Sequence, residues 1–229
     1  MSKPKIYVTR KLPAHILTPF QEKMEISMWE SETRPVPRDV LLDEAKKVDG
    51  ILCLITEQID EAFIEANHHL EIIANMAVGY DNIDVEVARK HQIIVTNTPD
   101  VLTETTADLT FALLMATARR LLEASSYIYE DKWKDWSPFL LAGADIHHQT
   151  IGIVGMGRIG QAVARRAKGF NMPVIYHNRS RNEEAEEEIG ATYVEFDELL
   201  EEADFVVSLL PYSEASKHKF NEAAFAKMK

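Results

Sequence analysis

The sequence predicts an α/β protein of two doubly wound, Rossmann-like parallel-sheet domains with a cleft between them. Three observations predict it. Apolar runs of strand length alternate with helix-period stretches along almost the whole chain. The alternation falls into two series separated by "NTPDVL", whose proline and aspartate mark a change of direction near residue 99. The second series opens on a strand that runs straight into the glycine-rich turn "GMGRIG". The expected division is therefore a flavodoxin-like domain over 1–98 and a Rossmann domain over 99–229.

In the first series "KIYVTR" and "GILCLI" (50–55) are strands, the second bounded by an Asp-Gly turn, with helical stretches expected over 13–24, 38–47 and 60–67. "LEIIANM" and "IIVTNT" are two further strands on either side of the helical "VEVARKH". The stretch 104–129 reads as one long apolar helix, buried between layers or against a second subunit. The "DKWKDWSPFLLAGAD" that follows has little periodicity, and its Trp133 and Trp136 suit packing at a domain or subunit contact. The second series then runs strand (151–155), glycine turn, helix to about residue 169 and strand (173–177). An acidic helix, a short "TYVEF" strand, another helix, the strand "DFVVSLL" (204–210) and a helical "NEAAFAKMK" complete it.

Composition bounds the function. A chain of 229 residues with 46% apolar residues can fill two cores. No window approaches 18 consecutive apolar residues, and "MSKPKIYVTRKL" lacks the apolar run of a signal peptide. The single cysteine, Cys53, sits within "GILCLI" and reads as a buried small hydrophobe. Together these features point to the cytoplasm. A net charge of −12 argues against nucleic acid, which requires a basic face to displace counterions. The acidic runs "NEEAEEEIG" and "EFDELLEEAD" read as solvated helical faces, with no metal site expected.

Gly155, Gly157 and Gly160 form G-x-G-x-x-G between a strand and a helix, the context in which that pattern is specific for a dinucleotide. The first glycine allows the turn, the second lets backbone approach a pyrophosphate, and the third lets helix pack on strand. The helix N-terminus then faces the phosphates with unpaired N–H groups. About 20 residues on, an acid normally accepts hydrogen bonds from the adenosine ribose. Here "VIYHNRSR" places Asn178, Arg179, Ser180 and Arg181 there instead. Two guanidiniums and two neutral donors suit a 2′-phosphate, so NADP(H) is the expected cofactor. NAD(H) held through backbone groups, with both arginines solvated, is the alternative.

The stretches "NMAVGYDNIDVEVARKHQIIVTNTPDVLTETTADLTFALLMATARRL", "TIGIVGMGRIGQAVARRAKGF" and "ADFVVSLLPYSEASKHKFNEAAFAKMK" occur in an order and spacing that resembles the D-isomer-specific 2-hydroxyacid dehydrogenases, most closely the glyoxylate/hydroxypyruvate reductase branch. The resemblance implies that residues 1–98 bind substrate and 99–229 bind NAD(P). It implies that Val78 and Gly79 turn backbone N–H groups to the substrate carboxylate and that Leu54 lies beside the rest of a small 2-oxoacid. It further implies cofactor contacts from Thr106, from Arg158 and Ile159 within the fingerprint, and from Leu210 and Pro211. It implies reduction of glyoxylate or hydroxypyruvate by a homodimer, which with the cofactor expected from the arginines gives an NADPH-dependent reductase. The arginine, glutamate and histidine that the family uses for catalysis are expected beyond Lys229, so no catalytic residue is assigned. Both domains are then expected to be incomplete and the 229-residue chain inactive by itself. A nucleotide-sensing interaction protein of the co-repressor type, or an inert cofactor-binding fragment, is the competing reading. Where many relatives have glycine and lysine before the fingerprint strand, this chain has His148 and Gln149, read as a surface turn.

Overall fold

The structure is a computed structural model and describes residues 2–229. Two compact units divide the chain, one reaching to Val101 and one running from Leu102 to Lys229.

The first unit carries five strands: β1 (Lys5–Val8), β2 (Glu25–Met28), β3 (Gly50–Cys53), β4 (Ile72–Asn75) and β5 (Ile94–Thr96). All pair in parallel, in the order β2-β1-β3-β4-β5, which is the flavodoxin-like order. Its helices are α1 (Ala14–Leu17), α2 (Arg38–Ala45), α3 (Glu61–Ala66) and α4 (Val85–Lys90). Aspartates start the last two. Asp60 accepts the Phe63 N–H at 2.9 Å and Asp84 accepts the Val87 N–H at 3.0 Å, each cap contributing about 1 kcal/mol. Tyr7, Ile51, Cys53 and Ile73 point to one core with Phe63, Ile64 and Ala88 from the helices.

The expected helix over 13–24 is corrected here. It is one short turn, α1, followed by a 3-10 turn at Thr18–Phe20, and then the strand β2. β2 is an edge strand whose residues are at best half-buried, so it lacks the continuous apolar run by which central parallel strands are recognised. Pairing with β1, from Lys5 opposite Glu25 to Val8 opposite Met28, decides it.

The second unit contains α5 (Thr103–Ala118), α6 (Leu121–Tyr129), β6 (Ile151–Val154), α7 (Arg158–Lys168), β7 (Val174–His177), α8 (Glu183–Ile189), β8 (Thr192–Tyr193), α9 (Phe196–Glu202), β9 (Phe205–Ser208) and the single turn α10 (Glu222–Phe225). Its strands are parallel in the order β8-β7-β6-β9. Alternate residues feed two cores: Ile151, Ile153 and Tyr176 pack with α5 and α7, whereas Val154 and Ile175 pack with Leu199 and Leu200 of α9. The sheet is thus covered on both faces, as the doubly wound expectation requires. The expected "TYVEF" strand is shorter than read, because Glu195 and Glu198 form a capping box that begins α9 at Phe196.

The single long helix over 104–129 is also corrected. It breaks at Arg120, which adopts a left-handed conformation (φ 54°). The break frees the Ala118 carbonyl, which accepts the Ala144 N–H at 2.9 Å, and Arg119 meets Asp145 across the same corner. A returning segment therefore supplies the partners that helix continuation would have supplied, which arginine's own helix preference does not reveal. α5 buries the stripe Ala107, Phe111, Leu114 and Ala118. α6 buries none of its residues, and Leu122 and Tyr129 are 80% and 89% exposed. Burial between layers within the unit is therefore not what α6 does. Among the described residues no helix is long and apolar enough to cross a membrane.

Candidate functional site

In the second unit the strand order reverses between β6 and β9, and open parallel sheets bind ligands outside the strand ends at such a point. The glycine turn lies there. Gly155 has φ 109°, and a Cβ on it would stand 2.9 Å from the Leu209 carbonyl carbon at the end of β9. A Cβ on Gly160 would come within 2.3 Å of the Gly155 carbonyl oxygen, so α7 rests directly on the turn. Gly157 differs from both. It has an ordinary φ of −82°, and nothing lies within 4 Å of where its Cβ would be. It leaves an open cradle at the N-terminus of the 11-residue α7, whose first-turn N–H groups, Arg158 and Ile159 included, have no partner within the helix. That is the donor arrangement a pyrophosphate fits.

Two asparagines tie this turn to the loop after β7 through one residue. Met156 donates its N–H to Asn178 Oδ1 at 2.8 Å, and its carbonyl accepts from Asn182 Nδ2 at 3.0 Å. Asn182 also caps α8 by accepting the Ala185 N–H at 3.1 Å. Arg181, expected beside a phosphate, is committed elsewhere. It pairs with Glu186, with Nε 3.0 Å from Oε1 and a second contact from Nη2 to Oε2. Tyr176 Oη donates to the same carboxylate at 2.7 Å and accepts the Asn182 N–H at 2.8 Å. Arg181 and Tyr176 hold the Glu186 carboxyl below its ordinary range, and Glu186 in turn pushes the Arg181 guanidinium up. Arg181 fastens the loop to α8.

Arg179 and Ser180 are exposed. Arg179 has no hydrogen bond or ion pair among the described residues, and it lines a cavity of about 450 Å³ with His177, Asn178, Leu210 and Pro211. Thr106 lies in the first turn of α5, which Arg166 of α7 holds through Asp108 (Nε to Oδ1, 2.8 Å) and Glu104.

In the first unit, Leu54, Val78 and Gly79 follow the ends of β3 and β4. The Ala77 carbonyl accepts the Thr98 N–H at 2.9 Å, and the Val78 carbonyl accepts Asn97 Nδ2 at 2.8 Å. All peptides here are trans, so the N–H groups of Val78 and Gly79 point opposite to those anchored carbonyls. Neither has a hydrogen-bond acceptor among the described residues. Gly79 is anchored in addition by Asn75, whose Nδ2 donates to its carbonyl at 2.9 Å and to Asn82 Oδ1 at 3.1 Å.

Sequence reasoning missed the group that holds Leu54. Glu57 is 3% exposed, and its carboxylate accepts from Thr9 Oγ1 (2.6 Å), the Leu54 N–H (2.8 Å) and Thr56 Oγ1 (2.6 Å), with Arg10 Nη2 at 3.5 Å. Asn82 Nδ2 donates to the carbonyls of Leu54 (3.1 Å) and Glu57 (3.0 Å). Nothing local marks "TEQ" as buried; only the approach of β1 and the 75–82 loop makes it so. Burial, and then the Glu57 charge, push the Cys53 thiol up to about 12, consistent with an inert core residue. Three histidines make backbone contacts: His68 Nδ1 with the Glu65 carbonyl, His69 Nε2 with Ala45, and His177 Nδ1 with Val194. Among the described residues no His, Cys, Asp and Glu cluster could hold a metal ion.

The chain has relatives among known proteins. Residues 111–229 match the family model described as the D-isomer specific 2-hydroxyacid dehydrogenase, NAD binding domain. The chain is 46% identical over 231 residues to the glyoxylate reductase of Thermococcus onnurineus, covering 99% of this chain and 69% of that protein. It is 48% identical to the glyoxylate reductase of Korarchaeum cryptofilum, covering 99% of this chain and 68% of the relative. Among solved structures, the TT0316 protein of Thermus thermophilus superposes with a TM-score of 0.89 at 38% identity, over 98% of this chain and 70% of that one.

Two of the three glycines generate opposite expectations on substitution. Gly157→Ala should change unfolding free energy in urea by no more than about 0.5 kcal/mol, because its backbone is ordinary and the space is open. Gly160→Ala should cost roughly 1–3 kcal/mol, because the methyl drives α7 off the Gly155 carbonyl. Equal losses at both positions would show that Gly157 serves packing and leaves no cradle.

Proposed function

The chain belongs to the D-isomer specific 2-hydroxyacid dehydrogenase family, an oxidoreductase family, and from that premise we propose that it serves the NADPH-dependent reduction of a small 2-oxoacid, glyoxylate or hydroxypyruvate. The observation that carries the cofactor reading is the open Gly157 cradle beside a loop that presents Arg179 where an acid would favour NAD(H). In this reading Gly155, Gly157 and Gly160 with the N–H groups of Arg158 and Ile159 hold the pyrophosphate. Asn178, Arg179 and Ser180 face the 2′-phosphate, while Thr106, Leu210 and Pro211 line the remainder. A bound nicotinamide supplies the hydride. The residues over 1–98 hold the substrate: the outward N–H groups of Val78 and Gly79 take the carboxylate, and Leu54, fixed by Glu57 and Asn82, packs beside the short chain of the 2-oxoacid. No proton donor is assigned within residues 1–229.

The glyoxylate reductases to which the chain is similar are named for the substrate proposed here. Backbone donors recognise any 2-oxoacid carboxylate, so size selection falls to Leu54. Adding glyoxylate should shift the Val78 and Gly79 amide resonances, and phenylpyruvate should leave them in place. Amides unmoved by glyoxylate would remove the substrate assignment.

Cofactor choice is expected to rest on Arg179, since Arg181 is held by Glu186. One charge-assisted contact contributes about 1.5–3 kcal/mol, so Arg179→Ala should weaken NADPH binding about tenfold or more and leave NADH nearly unchanged. Calorimetric titration with both cofactors checks this, and equal losses would return the choice to NAD(H).

We propose a homodimer on the uncovered apolar surface of α6 and the segment after it, where Leu122, Tyr129, Trp136 and Phe139 are each more than three-quarters exposed. Light scattering at micromolar concentration should give twice the chain mass; a monomeric mass would contradict it.

A further inference from the structure

We propose that Lys219 is the second cation of the 2′-phosphate site, taking the place that Arg181 vacates. The proposal rests on the reading of the β7–β9 crevice as the cofactor site and adds a specificity-determining residue to it.

The charge pairing of the second unit singles Lys219 out. Most of its other lysines and arginines find a carboxylate or a carbonyl, and Arg158 too is engaged. Arg179 and Lys219 have neither among the described residues, and both line the same cavity of about 450 Å³. In a chain of net charge −12 such isolation is not for want of acids. Two cations facing one cavity repel each other, and a ligand carrying about −1.5 to −2 charge at neutral pH, as a phosphate monoester does, removes that cost.

The loop after β9 brings Lys219 there. Ser216 Oγ donates to the Pro211 carbonyl at 2.8 Å, Ser213 and Ser216 bond each other's backbone, and the Lys219 N–H closes on the Ser216 carbonyl at 3.1 Å. The self-bonded turn folds the chain back across the strand ends. The Lys219 ammonium then rests 4.1 Å from the centroid of the Phe196 ring, which itself lies tilted against His177, 5.7 Å between centroids, at the start of the Arg179 loop. A ring face holds a cation less strongly than a phosphate oxygen does. Lys219 is therefore half-buried and held near the loop, with its charge still available. Leu210, Pro211 and Ala215 supply apolar wall in the same cavity, suited to the face of a purine. Arg179 offers a planar fork and Lys219 a point charge, two complementary ways of meeting one phosphate.

The test uses 2′,5′-ADP and 5′-AMP, which differ only in the 2′-phosphate, titrated into the protein and its variants by calorimetry. The native protein is expected to bind 2′,5′-ADP at least about tenfold tighter than 5′-AMP, and Lys219→Met to lose about tenfold for 2′,5′-ADP alone. Lys219→Arg should retain most of the affinity, and Lys219→Met should keep the native melting temperature and circular dichroism. If Arg179→Ala loses 2′,5′-ADP while Lys219→Met binds it as the native protein does, the NADPH reading stands and the role of Lys219 is overturned. If Lys219→Met weakens both ligands equally, the residue shapes the loop and does not read the phosphate, which also overturns it. A native protein that binds both ligands alike would remove the 2′-phosphate site and this proposal together.

Discussion

The contact on which the second unit depends is backbone against backbone. Gly155 passes so close to the end of β9 that a Cβ would meet the Leu209 carbonyl carbon at 2.9 Å, and Gly160 lies against the Gly155 carbonyl oxygen. These two approaches bring the N-terminus of α7 to the sheet at the point where the strand order reverses. The helix dipole and the first-turn N–H groups are thereby aimed at the crevice without any charged side chain. Gly157, between them, touches nothing. Two glycines are therefore explained by what the protein packs there, and the third only by what it leaves open.

Both units use side-chain amides to hold the backbone at their strand ends. Asn178 and Asn182 grip Met156 from opposite sides, and Asn75, Asn82 and Asn97 hold the carbonyls of Gly79, Leu54 and Val78. An amide donates and accepts at once, so it can satisfy buried backbone groups in a loop where no ladder is present. In the first unit the consequence is directional. With the Ala77 carbonyl held by the Thr98 N–H, the Val78 carbonyl by Asn97 and both peptides planar, the N–H groups of Val78 and Gly79 point away from those partners. Glu57 adds a buried charge to that scaffold. Removing its carboxylate would leave the Thr9 hydroxyl and the Leu54 N–H without their acceptor and break the ion pair with Arg10, whose Nη2 keeps its bond to Thr56 Oγ1, a loss of about 3–5 kcal/mol by the usual cost of breaking a buried pair.

Much of this was legible in the residues themselves. The strand–helix alternation, the glycine fingerprint and the lack of an acid after β7 are properties of local pattern, because strand period, helix period and turn sterics act over a few residues. Leu54, Val78 and Gly79 came instead from a resemblance, since nothing in their own neighbourhood declares a backbone donor. The reading failed where partners distant in sequence decide. β2 is a strand because β1 lies beside it, and the helix after Leu102 breaks because the Ala144 N–H arrives at the Ala118 carbonyl.

The sequence by itself determined two parallel α/β units, where the second begins its glycine turn, and that a guanidinium replaces a carboxylate beside it. Only the tertiary structure decided which guanidinium is available. Arg179 and Arg181 are two residues apart and chemically identical, but Glu186, one turn into α8, lies within reach of Arg181 and not of Arg179. The same holds for Lys219, distant in the chain and brought to the cavity by a turn of two serines. Residue types set what charge a loop can carry. Which of those charges is left for a ligand depends on the neighbours that folding brings, because an ion pair already made inside the protein must be broken before its cation can serve another anion.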